Sequence, residues 1–173
     1  MTRPLRVHFI HGLESSPQGE KARFFAAHFD AVTPSMDTRD LEGAIRTQAL
    51  AIRNAVEEGR GPDVLVGSSF GGAIAVALLA RCLWRGPTLL LAQAAQKLGV
   101  LDPLPAGAHV ALVHGVHDDV VPLEDSRALS RTGTPGLVTL EEVDDDHRLS
   151  SLVASGRLAD LVRALHERAN DRG

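Results

Sequence analysis

Short apolar stretches alternate with longer amphipathic stretches along this chain. The short stretches are typical of β-strands and cover residues 5–10, 31–33, 63–66, 88–91, 109–114 and 137–141. Between them, apolar residues recur at spacings of three and four, which predicts helices over residues 22–29, 41–56, 72–83, 123–130 and 149–169. Because strands that alternate with helices pair in parallel through right-handed crossovers, the pattern predicts an α/β fold. We expect a doubly wound, mainly parallel sheet of about six strands with helices on both faces.

The length and composition of the chain are typical of a globular protein. It has 173 residues, of which 44% are hydrophobic and 23% charged, so we expect one domain over residues 1–173. A net charge of −4 and an aromatic content of only 3% argue against a nucleic-acid partner, which would need cationic surface and stacking platforms.

The same features predict a cytoplasmic protein without a membrane partner. The first residues lack the apolar core of a signal peptide, and the apolar stretch 64–80 is interrupted by glycines and serines near its start. The single cysteine, Cys82, excludes an internal disulfide, and its apolar neighbours predict a buried, reduced thiol.

A GxSxG pentapeptide, GSSFG at residues 67–71, lies between a predicted strand and a predicted helix. A nucleophile elbow has this context, because its serine sits on a turn so sharp that the flanking residues must lack a Cβ atom. Ser69 is therefore the candidate nucleophile, and Ser68 is its rival. A tight connection or a phosphate-binding loop would explain the pentapeptide equally well.

A serine nucleophile requires a base and a group that orients the base. His147 follows the last predicted strand, and Asp118 follows the strand at 109–114, so both lie at the sheet edge where the loop of Ser69 emerges. The order Ser, Asp, His is the order found in α/β-hydrolases. Asp119 is an alternative acid, and a solvated histidine or an aspartate bonded within its own turn would explain the same positions.

Acyl transfer also needs N–H donors for an oxyanion. The amide that follows the nucleophile, Phe70 N–H, is the first candidate, and Leu13 N–H in the loop after the first strand is the second. Gly12 allows that loop to approach a substrate, while Glu14 and Arg148 border the expected pocket and are candidate substrate-binding residues.

The other histidines favour structural roles. His11 is expected to brace the loop that carries Leu13. His8, His28, His109 and His166 have no partners at a typical metal-ligand spacing, whereas a metal site formed by His114, His117 and Asp119 is conceivable.

With these motifs in order, the chain resembles the α/β-hydrolase superfamily. Within it, HGLESSP at 11–17, KA at 21–22 and GSSFGG at 67–72 resemble the YqiA-like small esterases. The resemblance implies a carboxylic-ester hydrolase with Ser69, Asp118 and His147 as its triad and with neither a metal nor an organic cofactor. Between the fourth and fifth strands only residues 92–108 are available, so we expect a minimal core without a lid domain and an open site for short acyl groups.

The sequence thus predicts a serine hydrolase that acts on a small-molecule ester or thioester. An amidase or peptidase with the same triad and a non-catalytic binding module on the same fold remain alternatives. The sequence leaves the natural substrate and the oligomeric state open.

Overall fold

Six parallel strands form the single sheet of this computed structural model, which describes residues 3–171. The strands are β1 (Arg6–Ile10), β2 (Asp30–Val32), β3 (Val64–Ser68), β4 (Thr88–Leu91), β5 (Val110–Gly115) and β6 (Val138–Val143). They lie in the order β2-β1-β3-β4-β5-β6, and every pair is parallel. The predicted α/β sheet of about six strands is therefore confirmed.

Helices cover both faces of this sheet. They are α1 (Glu20–His28), α2 (Leu41–Glu57), α3 (Phe70–Ala80), α4 (Leu123–Ser130), α5 (Ser150–Ala154) and α6 (Arg157–Asn170). Helices α2, α3 and α4 contribute to one apolar cluster, and α1, α5 and α6 contribute to the other. Side chains of a strand point alternately to its two faces, so Leu65 of β3 joins the first cluster while Val64 and Val66 join the second.

Two predicted helices end or break earlier than the apolar spacing indicated. Helix α3 ends at Ala80 rather than at residue 83, because Cys82 adopts a left-handed backbone conformation with φ 56°. Cys82 is exposed, so the predicted burial of its thiol is wrong. The expected single helix over 149–169 is two helices, α5 and α6, separated by Gly156 with φ 76°.

The order of the strands creates a crevice at one edge of the sheet. The chain passes from β1 to β2 on one side and then returns to place β3 on the other side of β1. In open α/β sheets, ligands bind where the strand order reverses, beyond the carboxyl ends of the strands. The loops after β1 and β3 meet at this position.

The region between β4 and β5 contains one 3₁₀ turn, Gln96–Leu98, as its only helical element. This agrees with the expectation of a minimal core without a lid domain. The stretch 64–80 comprises strand β3 and helix α3. Within residues 3–171, no helix is long and apolar enough to cross a membrane.

Candidate active site

Ser69 lies at the sharp turn between β3 and α3. Its backbone has φ 53° and ψ −112°, a region that non-glycine residues rarely occupy and that stores strain. The neighbouring glycines make this turn possible, because a Cβ atom on Gly67 would come within 2.4 Å of the Gly71 carbonyl oxygen and one on Gly71 within 2.0 Å of the Ile10 carbonyl oxygen. Ser69 is half-buried at the crevice, whereas its rival Ser68 is buried as the last residue of β3.

The structure brings Ser69, His147 and Asp118 into one line. Ser69 Oγ lies 3.0 Å from His147 Nε2, and His147 Nδ1 lies 2.7 Å from Asp118 Oδ2. The imidazole is 19% exposed and the Asp118 side chain is fully buried. The geometry requires the Nδ1–H tautomer of His147, which donates to the carboxylate and leaves Nε2 free to accept the hydroxyl proton.

Three hydrogen-bond donors and a further ring nitrogen surround the Asp118 carboxylate. Oδ1 accepts from the Val120 and Val121 N–H groups at 2.9 and 2.8 Å, and Oδ2 faces His147 Nδ1 and also His114 Nε2, at 3.1 Å. Burial alone would raise the pKa of Asp118, but the hydrogen bonds from Val121, His147 and Val120 outweigh it and hold the pKa below its ordinary value. The alternative acid Asp119 is exposed and makes none of these contacts.

The two amides expected to bind an oxyanion are unoccupied donors. Among residues 3–171, neither Phe70 N–H nor Leu13 N–H has a hydrogen-bond acceptor. Gly12 packs beside Ser69, since a Cβ atom added to it would lie 3.4 Å from Ser69 Cβ. His11 is buried, and its Nδ1 donates to the Gly12 carbonyl oxygen at 2.8 Å, in keeping with the expected bracing of this loop.

A cavity of about 580 Å³ opens in front of Ser69 and His147. Gly12, Leu13, Glu14 and Arg148, four of the five residues predicted to contact a substrate or an oxyanion, line it, whereas the fifth, Phe70, does not.

The cavity wall also contains Lys21, which the sequence reasoning did not select as a site residue. Lys21 follows the loop after β1 as the second residue of α1. The sequence could have pointed to Lys21, because it is one of only two lysines among 18 basic residues and belongs to the motif shared with the YqiA-like esterases.

A second group of side chains that the sequence reasoning missed lies behind Asp118. Gln93 Nε2 is 3.1 Å from Ser126 Oγ, and Ser126 Oγ is 2.8 Å from His114 Nδ1. All three residues are almost completely buried. Their positions after β4, on α4 and on β5 gave no pattern along the chain, because they become neighbours only when β4 pairs with β5 and α4 packs on β5.

The conceivable metal site at His114, His117 and Asp119 does not assemble. His114 is buried against Ser126, while His117 is exposed and its Nε2 lies 2.7 Å from Asp144. Among residues 3–171, no three histidine, cysteine or acidic side chains cluster as metal ligands.

Comparison with known proteins gives one family and many structural relatives. The profile of an uncharacterised protein family, UPF0227, matches residues 6–103. No curated protein matches the sequence. A structure from Xanthomonas campestris pv. campestris, named as a member of the alpha/beta hydrolase superfamily, is 27% identical, with a TM-score of 0.71 over 98% of this chain and 99% of its own.

Two more distant structures share the fold. Est1E from Butyrivibrio proteoclasticus is 17% identical, with a TM-score of 0.71 over 98% of this chain and 89% of its own. An alpha-beta serine hydrolase homologue from Coxiella burnetii is 16% identical, with a TM-score of 0.71 over 93% of this chain and 87% of its own. The resemblance noted in the sequence is thereby confirmed: the chain belongs to the UPF0227 family and has the α/β-hydrolase fold.

Proposed function

We propose that this protein is a serine hydrolase that cleaves small carboxylic esters or thioesters through an acyl-enzyme on Ser69. The observation that carries the proposal is the unbroken line from Ser69 Oγ through the His147 imidazole to the buried Asp118 carboxylate. The relative from Xanthomonas campestris, which bears a hydrolase name, supports the same class of reaction.

The first half of the reaction forms the acyl-enzyme. Ser69 Oγ attacks the acyl carbonyl carbon while its proton passes to His147 Nε2, and the negative charge that develops on the carbonyl oxygen is met by the Phe70 and Leu13 N–H groups. The imidazolium is stabilised by Asp118. His147 then gives its proton to the leaving alcohol or thiol as the bond from the acyl carbon breaks.

In the second half, water takes the place of the alcohol. His147 Nε2 accepts a proton from the water as its oxygen attacks the acyl carbon, and the proton then passes to Ser69 Oγ as the acid is released. No cofactor is required by these steps. The short 92–108 connection and the open cavity favour short acyl chains, since there is no lid domain to cover a long one.

Covalent labelling with a fluorophosphonate tests the proposal. We expect the native chain to be labelled once and Ser69→Ala to be unlabelled, with ester turnover reduced about 10⁴-fold or more. The matched control is Ser68→Ala, which removes the adjacent buried hydroxyl and should keep labelling. Equal labelling of the native chain and Ser69→Ala, or none of the native chain, would contradict the assignment.

A further inference from the structure

The buried chain of polar groups behind Asp118 has only one consistent set of hydrogen-bond directions. Gln93 Oε1 accepts from Ala95 N–H at 2.8 Å, which identifies the other amide atom, Nε2, as the donor to Ser126 Oγ. Among the described residues, Ser126 Oγ has one further hydrogen-bond partner, His114 Nδ1. The Ser126 hydroxyl proton therefore points to Nδ1, which must be an unprotonated acceptor.

The other nitrogen of His114 carries the proton. His114 Nε2 faces two acceptors, the Val121 carbonyl oxygen at 3.0 Å, to which it donates, and Asp118 Oδ2 at 3.1 Å. A nitrogen that faces only acceptors must carry a hydrogen. An acceptor at Nδ1 and a donor at Nε2 together give a neutral imidazole with its proton on Nε2.

We propose that His114 is a positioning residue for Asp118, held by Gln93 and Ser126 as a neutral imidazole whose Nε2–H donates to the Val121 carbonyl oxygen beside the carboxylate that orients His147. This inference rests on the proposed function only for its effect on turnover. The protonation state itself is a property of the fold and can be measured without a substrate.

The geometry gives this donor a specific effect. His114 Nε2–H donates to the Val121 carbonyl oxygen, and the N–H of the same residue, Val121, donates to Asp118 Oδ1. His114 thereby fixes the turn that holds one carboxylate oxygen, while the other, Oδ2, faces His147 Nδ1. His114 Nε2 also lies 3.1 Å from Oδ2, and its polar N–H lowers the basicity of that oxygen, so the proton stays on His147 Nδ1 when the imidazolium forms.

Variants at His114 separate positioning from general packing. We expect His114→Leu to lower kcat about 10- to 100-fold, because the Val121 carbonyl oxygen loses its donor and the Asp118 turn is no longer fixed, with KM little changed. His114→Gln should recover much of kcat, because its amide nitrogen can occupy the place of Nε2. The matched control is His8→Leu, which removes an equally buried histidine from β1 and should keep the native kcat.

Nitrogen NMR of the histidine rings tests the protonation state directly. The native chain should show His114 as the Nε2–H tautomer, and Ser126→Ala should lose that single tautomer because Nδ1 loses its donor. A native His114 in the Nδ1–H or imidazolium form would overturn the inference, as would native kcat in His114→Leu. If the native chain has the expected tautomer but no hydrolase activity, the proposed function fails instead.

A different observation concerns Lys21 in the cavity wall. Its side chain is half-buried, and among residues 3–171 no hydrogen bond or ion pair joins its ammonium group to another residue. The other lysine, Lys97, donates to the Val120 carbonyl oxygen at 2.7 Å. Burial lowers the pKa of Lys21, and Arg148 acts in the same direction, while the acidic neighbours Glu20, Asp146 and Asp145 oppose the shift.

The other charged groups of the cavity lie in a different environment. Glu14, Glu20 and Arg148 are exposed, so water and salt screen their charges. A partly desolvated cation without a partner gains more from an incoming anion than an exposed one does. Among the charged groups of the cavity, Lys21 is therefore the one whose charge is least screened from a ligand in front of Ser69.

We infer that Lys21 forms a subsite for an anionic substituent of the substrate, such as a carboxylate, that lies a short chain away from the scissile carbonyl. This second inference also rests on the proposed function. Such a subsite selects anionic esters or thioesters over neutral ones of equal length.

Two pairs of esters test the subsite and show whether the anionic group belongs to the acyl part or to the alcohol part of the substrate. The acyl pair is mono-4-nitrophenyl adipate and 4-nitrophenyl hexanoate; the alcohol pair is 4-carboxyphenyl hexanoate and 4-acetylphenyl hexanoate. In the pair whose carboxylate reaches Lys21, we expect Lys21→Met to lower the ratio of kcat/KM for the anionic ester to kcat/KM for the neutral ester about tenfold. Lys21→Arg and the control Lys97→Met should retain this ratio.

The outcomes distinguish this inference from the proposed function. Unchanged ratios in both pairs, with the neutral esters still cleaved, would overturn the role of Lys21 and leave the hydrolase proposal intact. No cleavage of any ester together with no fluorophosphonate labelling would remove the proposed function itself.

Discussion

The three glycines of GSSFGG solve different steric problems around Ser69. A Cβ on Gly67 would meet the backbone of Gly71, one on Gly71 would meet the carbonyl oxygens of Ile10 and His11, and one on Gly72 would lie 2.7 Å from Gln93 Cβ. The motif therefore does more than permit a turn. It lets β1, β3 and Gln93, which follows β4, approach closely enough to bring their loops to one crevice.

Replacing one of these glycines should cost stability in proportion to the contact it creates. We expect Gly71→Ala to lower the free energy of unfolding by about 3 kcal/mol or more, because backbone atoms cannot move aside as a flexible side chain can. Gly12→Ala is the matched control, since its Cβ would make only a contact of 3.4 Å. Urea denaturation measures both, and equal losses would contradict the steric argument.

At the scale of elements, a buried polar contact joins β1 to α2. His8 Nε2 donates to Gln48 Oε1 at 2.6 Å, and both side chains are almost fully buried. Gln48 also donates to the Pro34 carbonyl oxygen at 3.3 Å, so the pair ties the strand to the helix and to the loop before it. Burial lowers the pKa of His8, and the hydrogen bond with Gln48 opposes this only in part.

This shift makes the stability of the fold depend on pH. As the pH falls below about 6.5, the unfolded chain binds a proton at His8 before the folded chain does. The contribution of His8 is therefore complete above pH 6.5 and decreases towards its lowered folded pKa, by at most about 1.4 kcal/mol per pH unit.

Denaturation at pH 7.5 and pH 5.5 measures this dependence. We expect the native chain to lose more stability on acidification than His8→Leu does. His28→Gln, which changes an exposed histidine on α1, should behave like the native chain. An equal pH dependence in the native chain and His8→Leu would disprove the link.

The break between α5 and α6 shows why apolar spacing could not define the C-terminal helices. Leu152 of α5 and Leu158 of α6 both pack into the cluster with α1, so the spacing of apolar residues continues across the break. Gly156 was the only local sign, and a glycine within an amphipathic stretch does not by itself end a helix.

At the scale of the whole molecule, the site depends on the parallel sheet rather than on any one segment. The loops after β1, β3, β5 and β6 supply Leu13, Ser69, Asp118 and His147 respectively. They meet because all six strands point the same way and the order reverses between β1 and β3. The sequence predicted this meeting because strand ends in a parallel sheet share an edge.

The sequence by itself determined the class of fold, the elbow at Ser69 and the two loops that reach it. These features depend on periodicity and on residues with restricted local chemistry, which are readable along a chain. Only the tertiary structure decided that Asp118, and not Asp119, contacts His147, that Lys21 has no ion-pair partner among residues 3–171, and that Gln93, Ser126 and His114 form a chain. Their roles depend on which distant atoms lie within hydrogen-bond distance, and packing, not local sequence, sets those distances.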